Sequence, residues 1–231
     1  KISSDVVLCN YHMVDMMSGR RQPFTTGALE TGREYGIEEF MSYPADARRC
    51  CYYHGIIYRL DFYRDTGITL SEGIFYEDQE YATLPFYRAE TIFPTDIFLY
   101  QYQVGNARQS ISGANQAKNM WQIEKVLWNI VDFYNAHSDM PECKREYFLF
   151  KMSTFLLSYY VAGLLKSGDR KGGREAAEAM RKKVSERCPE LFAAAEKRYR
   201  IALWLHRLHI SGETLEKAKT TRLYYMLRKS F

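Results

Sequence analysis

Glu72-Gly73-Ile74-Phe75-Tyr76-Glu77-Asp78-Gln79-Glu80 is the stretch that decides the fold that we expect for this chain. In it a short apolar run leads directly into three carboxylates, and an apolar, aromatic segment precedes it at residues 52–62. A second aromatic run follows at residues 97–102, and then a loop with arginine and serine at residues 108–112. An acidic pair at the end of a strand-like segment, followed by an aromatic strand and such a loop, indicates a sugar-binding site.

The order of these segments resembles the C-terminal half of the catalytic domain of family-2 glycosyltransferases, which have the GT-A fold. That family has a stretch of the form I-x-F/L-x-E-G-I-x-Y-E-D-x-E, which here is Ile68–Glu80. A helix follows, and then a strand and loop of the form Y-x-Y/R…S-I-S, here Tyr100-Gln101-Tyr102 through Ser110-Ile111-Ser112. Asp5-Val6-Val7-Leu8 resembles the strand that follows the nucleotide-sugar half of the family, so the resemblance covers residues 1–113.

This sequence departs from the family in its donor half. Only four residues precede Asp5, where β-α-β units should lie, and the chain has no metal-binding Asp-x-Asp. Either the chain is a fragment of a longer enzyme or it is a remnant with another role, and we expect a fragment that is inactive alone. The resemblance implies a divalent cation, Mn²⁺ or Mg²⁺, but its Asp-x-Asp ligands are absent from this chain, so we predict no metal site in it.

The resemblance also implies the catalytic residues. Inverting glycosyl transfer needs a carboxylate that takes the proton from the acceptor hydroxyl. Asp78 is the base by resemblance, and Glu77 is its neighbour, which either binds the acceptor or holds the loop. Arg108 and Ser110 resemble the loop near the donor phosphates, where a guanidinium neutralises negative charge. The alternatives are a solvated acidic turn and an exposed loop arginine.

Aromatic and basic residues near this stretch are candidates for substrate binding. Tyr76 and the tyrosines of the strand at 100–102 could stack on sugar rings, with packing in the core as the alternative. His54 and Arg59 could line the acceptor side. His206 and His209 have a spacing that can grip a metal, but no carboxylate lies within a turn of them, so we interpret them as a surface or core pair.

Charge and periodicity divide the chain into two domains near Gly113. Residues 1–113 carry 10 Lys and Arg against 15 Asp and Glu, whereas residues 114–231 carry 22 against 13. The first domain, residues 1–113, is predicted to be an incomplete GT-A-like α/β half with a mixed sheet. The second, residues 114–231, is predicted to be an all-α bundle, because apolar residues recur every three or four positions.

Local signals predict the individual elements. Residues 5–15 are predicted to form a strand, residues 37–43 a short helix, and residues 91–102 one or two strands. A helix is predicted for residues 81–89 despite Pro85. The remaining predictions concern the second domain: a buried helix through Met152–Leu165, a loop at 167–173, a helix opened by Pro189, a break at Ser211-Gly212, and a last helix to Phe231.

Composition and cysteine usage bear on compartment and partners. Five cysteines with no ligand-like spacing fit a reducing compartment, so we expect a cytoplasmic protein. The basic last helix predicts either a solvated face or contact with the inner, anionic face of a membrane. A sheet that lacks its first strands should expose an edge, which predicts a homo-oligomer or another cover for that edge.

The predicted function is transfer of a sugar from a nucleotide-sugar donor to a glycan or lipid-linked acceptor, with inversion, in the synthesis of a surface polysaccharide. The alternative is a non-catalytic interaction or membrane-surface module that uses the basic helical half. Nucleic-acid binding is not predicted, because the basic residues are interleaved with acidic ones and no known reading motif is present.

Overall fold

The computed structural model describes residues 2–27, 29–43, 51–105, 113–212 and 214. The chain divides into two compact units, and we describe each by itself. The first comprises Lys1–Gln109 and Asp132–Phe148, and the second comprises Ser110–Val131 and Leu149–Phe231. The predicted order of an α/β part followed by a helical part is confirmed, since every described strand precedes residue 105. The first unit also contains residues 132–148, which lie beyond the domain boundary predicted at residue 113.

A mixed β-sheet forms the centre of the first unit. Its strands are β1 (Val6–Asp15), β2 (Arg21–Phe24), β3 (Tyr35–Gly36), β4 (Ile56–Tyr58) and β5 (Thr91–Val104). The order is β2-β1-β5-β3, with β4 paired to β1. β1 and β5 are parallel, and the other pairs are antiparallel. The mixed sheet is therefore confirmed, and it brings β5 next to a strand some 85 positions earlier in the chain.

The hairpin between β1 and β2 follows from local turn chemistry. The Asp15 carboxylate accepts hydrogen bonds from the N–H groups of Met17 (2.9 Å) and Ser18 (2.8 Å). Gly19 then adopts a positive φ of 69°, a conformation that glycine takes without strain. The turn predicted at residues 18–23 is confirmed in its first half, and β2 begins at Arg21.

Short helices connect the strands of the first unit. They are α1 (Ile37–Ser42), α2 (Leu60–Asp65) and α3 (Asp78–Tyr81), with 3₁₀ turns at Tyr53–Gly55 and Leu84–Tyr87. The helix predicted over residues 81–89 is wrong as a continuous element. Thr83 leaves the helical region with φ −125°, and Pro85 has no N–H to donate to a continuing helix.

The remaining helices lie at residue 113 and beyond. They are α4 (Gly113–Lys118), α5 (Met120–Ala136), α6 (Glu142–Val161), α7 (Arg170–Arg187) and α8 (Pro189–Arg207). α6 continues as a π-helical turn over Ala162–Lys166. Pro189 opens α8 as predicted, and the predicted buried helix through Met152–Leu165 is confirmed by the burial of most of its side chains. The predicted last helix lies almost entirely outside the described residues.

The loop predicted at residues 167–173 is confirmed only at residues 167–169, because α7 already begins at Arg170. The Asp169 carboxylate caps this helix by accepting a hydrogen bond from the N–H of Gly172 at 2.9 Å. Gly173 is there for packing, since a Cβ at this position would lie 2.0 Å from the carbonyl oxygen of Gly163. Glycine inside this helix therefore permits close backbone contact and does not end the helix.

One described helix, Glu142–Lys166, is long and apolar enough to cross a membrane by length and composition alone. In the structure 61% of its most apolar window is buried, and a core helix of a water-soluble protein meets the same criterion. No disulfide joins the described cysteines, which are Cys9, Cys51, Cys143 and Cys188.

Candidate functional site

The turn before α3 places Asp78. Gly73 and Tyr76 both have positive φ, at 70° and 75°, and this conformation is strained for a bulky residue such as tyrosine. The chain then enters the helix, with hydrogen bonds from Gln79 N–H to Tyr76 O (3.0 Å) and from Glu80 N–H to Glu77 O (3.0 Å). The result is that Asp78 is the first residue of α3, with Glu77 immediately before it.

Glu80 holds this turn in place. Its side chain is buried, and its carboxylate accepts hydrogen bonds from Ser71 N–H (2.7 Å) and Ser71 Oγ (2.9 Å). The hydroxyl of Tyr81 donates to Ile56 O at 3.2 Å, and that of Tyr58 donates to Tyr81 O at 2.8 Å. Glu80 therefore has a structural role and fixes α3 to the preceding loop at Ser71, while the two tyrosine hydroxyls fix α3 against β4.

His54 lies within a cluster of aromatic rings. The 3₁₀ turn at Tyr53–Gly55 presses against β1, since a Cβ on Gly55 would lie 2.3 Å from Cys9 O. The His54 ring centroid lies 3.8 to 5.3 Å from four tyrosine ring centroids, and we call these residues the tyrosine cluster: Tyr11, Tyr53, Tyr100 and Tyr102. The parallel pairing of β1 with β5 brings Tyr11 opposite Tyr100.

Burial controls the charge of His54. The residue is 8% exposed, and burial lowers the pKa of its imidazole to about 4. The ring is therefore neutral at pH 7. Its Nδ1 atom is buried and has no hydrogen-bond partner among the described residues. A buried ring nitrogen in this state is uncommon in folded proteins, where most buried polar atoms are hydrogen-bonded.

Asp78 is electrostatically linked to the same cluster. The Tyr53 hydroxyl lies within hydrogen-bonding reach of both the Asp78 carboxylate and the Tyr102 hydroxyl. Burial and the nearby negative charge of Asp78 raise the pKa of Tyr53 far above its usual value, and they raise the pKa of Tyr76 to about 12. The pKa of Tyr102 is raised as well, chiefly by burial. These phenols are protonated at neutral pH, as an unperturbed tyrosine already is, and can donate hydrogen bonds.

The structure brings together some of the predicted site residues and separates others. Asp78, Tyr76 and His54 belong to one neighbourhood through Tyr53 and Tyr102, and Glu77 adjoins it in sequence. Arg108 and Ser110 lie outside the described residues.

Arg59 lies beside the start of β1, whereas His54 lies beside its middle. Its guanidinium pairs with Asp5 at 3.1 Å and with Asp61 at 2.7 Å, and it donates to the carbonyl of Ser3. His54 contacts Tyr11, six positions further along the strand. At about 3.3 Å per residue, the five positions from His54 to Arg59 span at most roughly 17 Å.

Sequence reasoning missed Tyr53. The residue lies in the dipeptide Tyr52-Tyr53, directly before His54. From sequence, this segment is only an apolar, aromatic run that precedes the acidic stretch. Its link to Asp78 depends on a turn that folds back on β1, and no local pattern predicts that turn. The neighbouring histidine was the available signal, because paired aromatic residues around a lone histidine are typical of a packed cluster.

The described residues do not fit a divalent cation. Among them, no group of three or more His, Cys, Asp or Glu side chains is arranged to hold a metal ion. Comparison with protein-family models finds no match. Comparison with curated proteins finds no significant match either.

Proposed function

We propose that this chain forms the acceptor side of a glycosyltransferase of the family-2, GT-A-like type, with Asp78 as the general base. The observation that carries this proposal is the link between the Asp78 carboxylate and protonated phenols beside a half-exposed aromatic ring. Tyr53 connects Asp78 to the tyrosine cluster, and Tyr100 of that cluster is 50% exposed. A carboxylate next to an accessible aromatic surface suits the binding and deprotonation of a sugar hydroxyl.

The reaction would proceed as a single displacement. The acceptor hydroxyl loses its proton to an oxygen of Asp78 while the hydroxyl oxygen attacks the anomeric carbon of the nucleotide sugar. The bond between that carbon and the nucleoside diphosphate breaks on the opposite side, so the product has inverted configuration. The protonated Asp78 later releases the proton to water.

The surrounding side chains would hold the acceptor for this step. Protonated Tyr53 orients the Asp78 carboxylate, and Tyr76 donates a hydrogen bond to an acceptor hydroxyl. Tyr100 stacks against a sugar ring, and the neutral ring of His54 packs against Tyr100 behind it. Glu77, immediately before the base and half-buried, accepts a hydrogen bond from a second acceptor hydroxyl.

The donor would be bound elsewhere. By resemblance, Arg108 and Ser110 contact its phosphates, and no other described residue is assigned to the nucleotide-sugar site. No step is assigned to a divalent cation, because the described residues do not fit one. We give Arg59 no role in the reaction, since its guanidinium is already paired with Asp5 and Asp61.

The experiment that tests this function is turnover of a panel of nucleotide sugars by the complete protein, measured as release of nucleoside diphosphate in the presence of glycan and lipid-linked acceptors. Asp78→Asn should reduce turnover at least ~100-fold, as expected for loss of a general base. Asp65→Asn is the matched control, because Asp65 is exposed on α2 and should leave turnover unchanged. Equal rates for Asp78→Asn and the wild type would refute the proposal.

A second candidate function, docking on an anionic membrane surface, is favoured by the exposed end of α8. Trp204 is 57% exposed there, and Leu208 one turn later is 51% exposed. Arg200 and Arg207 are exposed within one turn of Trp204. Aromatic and apolar side chains among basic ones are typical of helices at membrane interfaces. This surface would hold the enzyme at the inner face of the membrane, where lipid-linked acceptors reside.

Flotation with lipid vesicles tests the membrane proposal. We expect the protein to bind vesicles that contain phosphatidylserine and to bind phosphatidylcholine vesicles much less, because the basic side chains need anionic lipid. Trp204→Ala should lower the bound fraction. Trp121→Ala is the matched control, since Trp121 is 56% exposed on α5. Equal losses for the two variants, or no binding by the wild type, would contradict this surface.

A further inference from the structure

A single turn of helix carries Asp78, and hydrogen bonds from elsewhere in the first unit hold this turn. α3 spans only Asp78–Tyr81, and a helix this short is not stable by itself. It is tied to the preceding loop through Glu80 and Ser71. It ends at Ala82, whose N–H donates to Asp78 O at 2.9 Å. A shift of Ala82 would therefore move the backbone of Asp78 as well.

A tyrosine that lies 65 positions further along the chain holds the end of α3. Tyr147 is fully buried, and its hydroxyl donates to Ala82 O at 2.7 Å. Its ring stacks on Phe86 with 4.5 Å between the ring centroids, so packing fixes the direction of the hydroxyl. Buried carbonyl groups in folded proteins are nearly always hydrogen-bonded. Loss of the Tyr147 hydroxyl would therefore leave Ala82 O without this donor and loosen the end of α3.

Lys144 contacts the same segment from one turn earlier on α6. Its ammonium group is buried, donates to Tyr87 O at 3.1 Å and pairs with Glu90 at 2.6 Å. Residues three apart lie on one face of a helix, so Lys144 and Tyr147 both hold the chain that runs from α3 to β5. Both belong to residues 132–148, which are part of the first unit although the predicted domain boundary lies at residue 113.

We propose that Tyr147 is a positioning residue for Asp78. Its hydroxyl holds the end of α3 and thereby keeps the Asp78 carboxylate beside Tyr53 and Tyr76, with which it interacts. The inference rests on the proposed function, because the position of Asp78 affects turnover only if Asp78 is the general base. Tyr147 acts through Ala82, so its loss should affect the rate of transfer and not the binding of the nucleotide sugar.

The first test reports the position of Asp78 without any turnover. It uses the full chain with carbon-13 at Cζ of its tyrosines, and the NMR signals of Tyr53 and Tyr76 are assigned from their phenylalanine variants. Asp78→Asn shows where these two signals move when the charge of Asp78 is lost. Tyr147→Phe keeps the ring and removes the hydroxyl, so both signals should move toward their positions in Asp78→Asn.

Tyr35→Phe is the matched control for the loss of a buried hydroxyl. Tyr35 is also fully buried, and its hydroxyl accepts from Glu30 N–H at 2.8 Å and donates to Glu30 O at 3.3 Å. Both variants should unfold at a lower temperature than the wild type, because each leaves buried backbone groups with fewer partners. Only Tyr147→Phe should move the signals of Tyr53 and Tyr76, which a general loss of stability would not do.

The second test is steady-state turnover of nucleotide sugar by the complete protein. Tyr147→Phe should lower kcat roughly 10- to 100-fold, because a misplacement of about 1 Å at a reacting group can cost ~100-fold. The KM for the nucleotide sugar should stay unchanged, and Tyr35→Phe should keep the wild-type kcat.

Two results would overturn the proposal: tyrosine signals that stay in place in Tyr147→Phe, or a wild-type kcat for this variant although the signals move. Wild-type turnover by Asp78→Asn would instead refute the proposed function. The NMR comparison would then still decide whether Tyr147 holds Asp78 in place, since it requires no turnover.

Discussion

His54 is a neutral imidazole within the tyrosine cluster, and Tyr53 of that cluster interacts with Asp78. Burial lowers the pKa of the His54 imidazole to about 4, so the ring is uncharged at neutral pH. Asp78 contributes to raising the pKa of Tyr53 and Tyr76, so these phenols keep their protons. The cluster thus supplies donors and acceptors without a positive charge on the histidine, an arrangement that suits hydrogen bonding to uncharged sugar hydroxyls.

The lowered pKa of His54 predicts a pH dependence of stability. The unfolded imidazole takes up a proton as the pH falls below 6.5, whereas the folded one does so only near pH 4. The unfolded state binds more protons in this window. The contribution of His54 to the free energy of unfolding therefore falls as the pH falls from about 6.5 to about 4. Urea unfolding of the wild type and of His54→Gln at several pH values measures this contribution.

We expect the difference between these two proteins to shrink as the pH is lowered, because the wild type loses the stability that depends on a neutral imidazole. Above pH 6.5 the difference should be constant. A difference that does not change between neutral and acidic pH would show that burial of His54 does not affect its protonation.

The candidate site could be predicted in part from local sequence. Asp78 and Tyr76 are recognisable because they are adjacent in one motif, and His54 was identified as a neighbour of that motif. Tyr53 and Tyr102 are 49 positions apart, and they meet because a 3₁₀ turn folds back on β1 while β5 pairs with β1. That meeting is a consequence of long-range sheet topology, which residue spacing does not specify.

Local sequence signals predict correctly those strands and helices that depend on interactions between residues close in sequence. β1 and the start of α8 were predicted from alternation and from Pro189, and both are confirmed. The prediction failed at residues 170–173, where Gly172 and Gly173 were interpreted as loop residues. Glycine has two uses, turning the chain and allowing close packing, and only the structure shows that Gly173 lies against Gly163.

The contact of Gly173 with Gly163 predicts that Gly173→Ala destabilises the second unit. The added Cβ would lie 2.0 Å from Gly163 O, so α7 must move away from the π-helical turn. Overpacking of this kind typically costs about 1–3 kcal/mol. Gly168→Ala is the matched control, because nothing lies within 4 Å of a Cβ there.

Thermal unfolding followed by circular dichroism measures both variants. Gly173→Ala should unfold at a clearly lower temperature than the wild type, and Gly168→Ala should unfold within a degree or two of it, as expected for a surface substitution. Equal unfolding temperatures for the two variants would mean that the close approach of the two backbones does not limit stability.

Each of the two units of the molecule presents its own kind of surface. The first unit holds the candidate acceptor site and an apolar sheet edge, and the second presents an exposed tryptophan among basic residues on α8. The charge difference between residues 1–113 and 114–231 was evident from composition alone. The sequence predicts that the sheet exposes an edge. The position of this edge at β5 depends on which strands pair, and composition carries no information about pairing.

Chemical rescue tests whether Asp78 removes the proton from the acceptor hydroxyl. Asp78→Ala leaves space where the carboxylate was, so added formate can occupy that space and act as the base. We predict that transfer by Asp78→Ala in the complete protein is nearly abolished and rises with formate concentration, while Asp65→Ala transfers at the wild-type rate with or without formate. Transfer by Asp78→Ala at the wild-type rate in the absence of formate would contradict the account.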